Sequence, residues 1–470
     1  MTVAPGHEPP WWLQEARAWE RGAPAAPSLQ GDLDVDVAIV GGGYTGLWAA
    51  LALRERDPSL RVAVLERELC GAGPSGRNGG FLHGYWSSLT KLRRLFGDAA
   101  AVALCRAGDE IIPAVRAFAR ARDADVWLRE GGLLKVATTP RQEEAIDAAV
   151  AAAAAVGHPG EAVPLTGTEL AARCRGTFRR GVLFRDGATV HPARLVRALR
   201  AAVLDAGVRL HEATPVTRLH RAAPNRLETP HGSVRAAEVV VAINAAITDW
   251  RPVRGRLTTF GSYVVLTEPV PELLERIGWT GGEAITDARM FLHYFRTTSD
   301  GRVLMGSGSG PIGHGNRIDR RFTHDVATAA RAARGLRRLL PDLAQARITH
   351  AWGGPIDVSA DQFPFVGTVE GARVHYAAGF SGNGVGPSWL AAQALASLVT
   401  RADDEWARLP LVNRRVARVP REPLRFLGGS LIRAALLTCE EADEEGRRPA
   451  LPVRVTADAP RALGLSLGRR

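Results

Sequence analysis

Short apolar runs and long Ala/Leu/Arg stretches take turns along most of this chain. "VDVAIV" at residues 35–40 is nearly all apolar and reads as a buried parallel strand, and Leu47–Leu53 continues as a helix directly after a cluster of glycines. "RVAVLE" (61–66) and "EVVVAI" (238–243) repeat the strand pattern, while "HPARLVRALRAAVLDAGVRL" (191–210) reads as helix then strand. In that stretch Pro192 sits at the helix start and Gly207 just past its end. Elsewhere "EEAIDAAVAAAAAVG" is helical in pattern, and "GSYVVLTEP" and "MFLHYFRTT" are strand-like. Strands alternating with helices predict an α/β fold.

The glycines between the first strand and helix are spaced to do more than turn the chain. In "VGGGYTG" (40–46) Gly41, Gly43 and Gly46 fit G-x-G-x-x-G, with Tyr44 and Thr45 between the last two. The first glycine permits the tight turn, the second lets backbone approach a pyrophosphate, and the third lets helix pack closely on strand. The helix N-terminus then offers free N–H groups and a partial positive charge. Twenty residues past Gly46 the second strand ends at Glu66, whose carboxylate can accept both ribose hydroxyls of an adenosine and repels a 2′-phosphate. Arg67 beside it is the alternative reader of that phosphate, but the acid at the strand tip favours FAD or NAD. Gly308, Gly310 and Gly313 match the same pattern, yet Pro311, His314, Gly315 and Asn316 cannot start an apolar helix, so a loop is expected there. "GLSLG" at 464–468 matches a nucleophile elbow on paper but has no helix after its serine, which excludes serine-hydrolase chemistry.

Composition narrows the class. The chain has 470 residues, 46% hydrophobic, enough for a large core and about three domains unless segments interleave. Its 60 Lys+Arg against 49 Asp+Glu give a formal charge of +11, nearly all from arginine, since Lys91 and Lys135 are the only lysines. The charges are scattered, with no block of five or six, which argues for solvated surface and against nucleic acid or membrane as a partner. Cys70, Cys105, Cys174 and Cys439 form no CxxC pair and no disulfide framework, so a reducing cytoplasm is expected and no metal site is implied. "MTVAPGHEPPWW" lacks the regions of a signal peptide, and the Ala/Val stretch near 148–156 is too short to span a bilayer.

Three further stretches point to a family. "GAGPSGRNGGF" (71–81) is a glycine-rich turn whose polar members are Ser75, Arg77 and Asn78. "EVVVAINAAI" (238–247) puts Ala242, Asn244 and Ala245 at a strand tip. "AWGGPIDVSADQFPFVG" (351–367) precedes "HYAAGFSGNGVGPSWLAAQALASLV" (375–399), a glycine-rich loop running into an apolar helix whose amides and dipole would stabilise negative charge. In this order, over about residues 30–402, the motifs resemble the D-amino acid oxidase or glycine oxidase (DAO) family of FAD-dependent oxidoreductases, and most of all its γ-glutamylputrescine oxidase branch.

The resemblance implies an FAD-binding Rossmann-like domain of glutathione-reductase type with an interleaved α+β substrate domain on an antiparallel sheet. It also implies that Gly41, Gly43, Tyr44, Thr45 and Gly46 hold the pyrophosphate, with Glu66 and Arg67 at the adenosine and Val216 at the adenine. Gly73, Ser75, Arg77, Asn78, Gly79 and Gly80 would lie near the flavin, as would Ala242, Asn244, Gly379, Ser381, Gly382, Asn383, Gly384 and Val385. Some relatives attach FAD to a histidine where this chain has Arg77, and others use a C-terminal cysteine, whereas Cys439 lies well past the flavin loop; a non-covalent FAD is therefore expected. Relatives resembling sarcosine oxidase place a lysine over the flavin, but "RVLMGSG" has none, which leaves O2 as one candidate electron acceptor and not the assured one.

The motifs divide the chain into an N-terminal arm (1–31), an FAD-binding part (32–90, 181–250 and 350–402), a substrate part (91–180 and 251–349) and a C-terminal arm (403–470) of little periodicity. "RFLGGSLIRAALL" in that arm is apolar with arginines and is expected to dock on the body, as are Trp11 and Trp12; His191 is expected to be structural. The expected reaction is oxidation of the C–N bond of a small amine or amino acid to an imine, followed by hydrolysis. The flavin supplies the chemistry and the protein supplies orientation and charge. Arg296, which resembles an arginine common in this family strand, is a candidate to hold a substrate carboxylate, with an interdomain ion pair as the alternative. Tyr263 and His83 are candidates to face the cavity. A flavoenzyme of the same fold acting on RNA, a flavin-holding scaffold without catalysis and an NAD-dependent dehydrogenase are the alternatives.

Overall fold

The first strand is apolar on both faces because both are covered. In the computed structural model, which describes residues 10–462, Leu33–Val40 lies inside an eight-stranded sheet, parallel to Gly232–Val241 on one side and Val62–Leu65 on the other. Residues 1–9 and 463–470, and with them the ends of both arms and the "GLSLG" stretch, fall outside the described residues. The sheet runs in the order Phe365–Thr368, Val374–Ala378, Gly232–Val241, Leu33–Val40, Val62–Leu65, Arg209–His211. A hairpin of Arg218–His220 and Asn225–Thr229 joins at Gly232–Val241. Helix Tyr44–Arg56 packs against helices Pro192–Asp205 and Pro387–Thr400, and their apolar side chains share one core with the strand side chains of Val37, Ile39, Val62 and Val64.

The second sheet is ordered Ile348–Ser359, Leu257–Thr267, Val303–Ser307, His293–Thr297, Ala284–Asp287, Leu133–Ala137, Arg180–Phe184, Val163–Thr166. It is antiparallel except where Ala284–Asp287 meets Leu133–Ala137. Residues 181–184 and 350–359, expected among the nucleotide-binding segments, are strands of this sheet instead. Ile348–Ser359 pairs with nearly the whole of Leu257–Thr267, and that ladder decides where it belongs. Side chains alternate between the two faces of the sheet. Val265, Phe295 and Met305 point to helix Val326–Leu339, packing with Leu336 and Leu339. Val264, Leu266, Leu304 and Trp352 point the other way, onto Trp12 and the first part of the molecule.

Helix Trp11–Trp19 is pinned at that junction. Trp12 is fully buried, edge-on to Trp352 and to His191, and His191 accepts the Arg194 amide at 3.1 Å and meets Glu15 at 2.7 Å. Burial lowers the His191 imidazole to about 4, so it is neutral at pH 7. Nearby Glu212, with no exposed surface, accepts the amides of Ala26 and Cys70 at 2.7 and 2.8 Å and pairs with Arg197 and Arg200. A buried carboxylate with donors on both oxygens ties the N-terminal linker to the second strand–helix connection.

The C-terminal arm is more regular than its sequence pattern. Helices Leu424–Glu444 and Leu451–Ala462 form a hairpin. Gly428, Gly429 and interspersed arginines blur the 3.6-residue period that would have revealed the first of them. Glu440 docks it by accepting the amides of Met290 and Phe291 at 2.7 and 3.1 Å, while Arg289 pairs with Glu440 and Glu444. Leu424, Leu427 and Leu431 remain exposed. No helix of the described residues is long and apolar enough to cross a membrane.

Candidate functional site

Helices Tyr44–Arg56 and Pro387–Thr400 each follow a parallel strand of the first sheet, so both begin at the carboxyl edge of that sheet. Neither is capped by its own N-cap side chain, because the N-cap positions are Gly43 and Gly386. Two such helix starts side by side make a place for negative charge.

At the first start, Gly41 has φ +110°, a conformation open to glycine, and its amide bonds to the Leu65 carbonyl at 2.9 Å. Gly46 packs against the Gly41 carbonyl with no room for a β-carbon. Ala242 donates its amide to Val40, which sets the tip of the third strand beside this turn. Glu66 accepts the Gly42 amide at 2.7 Å and the Glu68 amide at 2.9 Å, so its carboxylate lies over the glycines, and burial raises its carboxyl above the ordinary value. The Glu66 carbonyl accepts from Thr214, which carries the segment containing Val216 to the same strand tip. Arg67 is not brought in: its guanidinium is exposed and paired with Glu68. Tyr44 turns inward, its hydroxyl donating to the Pro192 carbonyl at 2.8 Å, and Thr45 is buried.

The 73–80 turn meets this start directly. Gly73 leads into a short turn, Pro74–Gly76, and the Ser75 hydroxyl accepts the Tyr44 amide at 3.0 Å. Asn78 folds the turn on itself, donating to the carbonyls of Pro74 and Ser75 and accepting the Gly80 amide at 2.7 Å. Arg77 donates to the Ala72 carbonyl, while its own carbonyl accepts the Trp352 indole at 2.9 Å, so the turn is fastened to the second sheet. Gly79 lies under the Tyr294 ring, where a β-carbon would come within 2.9 Å.

The second start is built from positive-φ residues, Gly379 (+79°), Ser381 (+54°) and Gly382 (+86°). The Gly379 amide donates to the Asp357 carboxylate at 2.5 Å, Ser381 to the Asp357 carbonyl at 2.9 Å, and Asn383 to the Phe380 carbonyl at 2.9 Å. Among the described residues the amides of Gly382, Gly384 and Val385 have no protein acceptor, and their loop lies at the same edge of the sheet as the first start. Asn244, at φ +47°, reaches Asp357 from the third strand tip at 3.4 Å, and its other amide atom is buried without a partner. Unused amides, an orphaned amide oxygen and two helix starts fit a dinucleotide that carries a pyrophosphate at one end and a polar ring at the other.

The three catalytic candidates fare differently. Tyr263 lies on the face toward helix Val326–Leu339, its hydroxyl on the Arg321 carbonyl, so it does not face the turn. The strand alternates, and its neighbour Ser262 takes the other face. Arg296 is on the right face and fully buried, with Nε and Nη1 donating to the carbonyls of Thr297, Gly80 and Val190 and Nη2 buried without a protein partner. It serves as a clamp from the second sheet to the flavin-type turn. His83 stands against Gly386, at the second helix start, with Nδ1 3.0 Å from the Gly84 carbonyl, and burial lowers its imidazole below the ordinary value. The residue missed by the sequence reading is Tyr294. It shares a face with Arg296 two positions on, bonds to the Ser262 hydroxyl at 2.8 Å and meets Phe81 edge-on. Two-residue alternation in "HYFRT" was the signal that could have found it.

Comparison with known proteins agrees with this geometry. The family described as "FAD dependent oxidoreductase" (DAO) matches residues 36–398. A probable oxidoreductase OrdL of Rhizobium meliloti (strain 1021) is 28% identical over 443 residues, 93% of this chain and 96% of that one. Gamma-glutamylputrescine oxidoreductase of Escherichia coli (strain K12) is 29% identical over 421 residues, 86% of this chain and 93% of that one. Among solved structures, glycine oxidase from Geobacillus kaustophilus superposes with a TM-score of 0.66 at 24% identity, covering 82% of this chain and all of that one.

Proposed function

The chain belongs to the DAO family of FAD-dependent oxidoreductases, and from that premise we propose that it oxidises the C–N bond of a small amine or amino acid to an imine in the cytoplasm. The observation that carries this reading is the convergence of two helix starts with the 73–80 turn beneath Tyr294. Gly41–Gly46 would hold the pyrophosphate, Glu66 the ribose, and Ser75–Gly80 with Gly382–Val385 the flavin end. Bound FAD supplies the hydride acceptor. The Tyr294–Ser262 hydroxyl pair and Phe81 line the approach to Gly79. They orient a substrate without offering it a charge.

Because the hydroxyl pair and Phe81 at the approach to Gly79 offer no positive charge, amines without an α-carboxylate are expected to react faster than α-amino acids. The purified yellow protein, mixed without oxygen with polyamines, N-alkyl glycines and D-amino acids, should bleach with at least one polyamine; silence across the whole panel rejects the reading. Release of peroxide on admitting air then separates an oxidase from a dehydrogenase.

With that substrate, Tyr294→Phe is expected to lower kcat/KM about tenfold, since it removes one hydroxyl of the pair at the substrate side, leaves the half-buried Ser262 hydroxyl only a long bond of 3.4 Å to the Ser307 carbonyl, and costs about 1 kcal/mol or more. Tyr263→Phe should change it less than about twofold, while costing about 1 kcal/mol of stability. Equal effects on turnover would mean the two faces have been exchanged.

FAD should also leave the chain in acid. Arg77 occupies the position of the attachment histidine, and burial raises the thiols of Cys70, Cys105 and Cys174. Yellow colour retained in an acid precipitate would contradict this.

A further inference from the structure

Asp357 is a fully buried carboxylate that no cation faces. It sits in strand Ile348–Ser359 opposite Thr259 of Leu257–Thr267, and Thr259 bonds to the Thr248 hydroxyl at 3.1 Å. From the 244–249 turn it meets Asn244, and from the 379–381 turn backbone amides. Among the described residues no charged side chain on these elements shifts it, and burial alone drives its carboxyl up to about 7. The two oxygens are not equivalent. Oδ2 is held by the Gly379 amide at 2.5 Å, so a proton enters at Oδ1, which faces the Asn244 amide at 3.4 Å. The far atom of that amide, Oδ1 of Asn244, is buried and lacks a partner.

We propose that Asp357 is a positioning residue whose protonation state sets whether Asn244 presents a hydrogen-bond acceptor or a donor to the bound dinucleotide. As a carboxylate, Asp357 can only accept, so Asn244 turns its NH2 toward it and its oxygen toward the cofactor. As a carboxylic acid, Asp357 donates from Oδ1; the Asn244 amide rotates by half a turn, accepts that proton in a hydrogen bond, and aims its NH2 outward. One proton is taken from solvent and no covalent bond within the protein changes. An unpartnered amide in a buried place is costly, so its orientation follows its one fixed neighbour.

This rests on the reading that FAD occupies the site, and the test separates the two. The visible absorbance and fluorescence of the bound flavin are titrated in the holoenzyme from mildly acidic to mildly alkaline buffer. The wild type is expected to show a one-proton change centred at about pH 7, and Asp357→Asn to abolish it. Stability gives a second readout. A carboxyl raised on folding binds its proton in the folded state first, so stability falls as pH rises from the ordinary carboxyl range through about 7. Asp357→Asn should remove that slope. Asn244→Gly, which suits the positive φ, should silence the flavin change while leaving the slope in place. If Asp357→Asn fails to hold FAD, Asn244→Gly decides: a retained spectral change overturns the proposal, and its loss with the slope intact supports it. A bound but pH-silent flavin in the wild type overturns this inference alone, whereas a chain that takes up no FAD removes the functional reading as well.

Discussion

Replacing Gly46 by valine is expected to give a folded but colourless protein. A β-carbon at Gly46 would meet the Gly41 carbonyl oxygen, backbone against backbone, and the Ile39 side chain at 3.2 Å. The first turn of helix Tyr44–Arg56 then has to lift away from the strand, and the helix start no longer points into the glycine turn. Overpacking of this kind costs about 3 kcal/mol, which is about 100-fold in affinity for FAD. Titrating FAD into the apoprotein measures it, with a thermal melt to show that the fold survives. An affinity within about threefold of wild type would mean that the phosphates do not rest on this turn.

The second large effect is expected at Arg296. Its guanidinium lies 5.6 Å from the centroid of the Trp12 ring and donates to the Gly80 carbonyl at 3.3 Å as well as to Val190. Hydrogen bonds from a charged donor contribute about 1.5–3 kcal/mol each, and their loss leaves buried carbonyls short of donors. Arg296→Met should therefore lower stability by about 4 kcal/mol and FAD affinity with it, because the Gly79–Gly80 turn is freed from the second sheet. Arg296→Lys should recover less than half of the loss, since one ammonium cannot reproduce a planar fork aimed at three carbonyls. Urea unfolding of the three proteins decides the matter; coincident midpoints would show that the clamp contributes nothing.

The contrast between these two positions explains what could be read without coordinates. Gly46 was legible because strand, glycine spacing, helix and Glu66 have to stand in one register for the motif to exist. Arg296 was visible as a candidate, but two of its three carbonyl partners, Gly80 and Val190, lie more than a hundred residues away in sequence, and backbone acceptors leave no trace in side-chain identity. Tyr263 was misplaced because alternation says which residues share a face and not which face looks inward. The pairing of Leu257–Thr267 with Ile348–Ser359 settles that, and it is a long-range fact. Asp357 carries no signal at all within "GGPIDVS", where a single acid in a strand reads as an outward-facing residue. The C-terminal helices were hidden for another reason: the stripe that docks the first of them is short, Ile432, Ala435, Leu436 and Cys439 against Phe291, and is joined by the ion pairs of Arg289 with Glu440 and Glu444.

One feature of the fold reaches into biosynthesis. The two helix starts that frame the dinucleotide begin at Tyr44 and Pro387, so the first waits on the second for most of translation. A nascent chain released from the ribosome only as far as the second sheet would present half a cradle, with its central strand unpaired by Val374–Ala378. Cofactor capture is therefore a late event for this polypeptide, and chains truncated before residue 387 should emerge as clients for chaperones and proteases in place of a smaller flavoprotein.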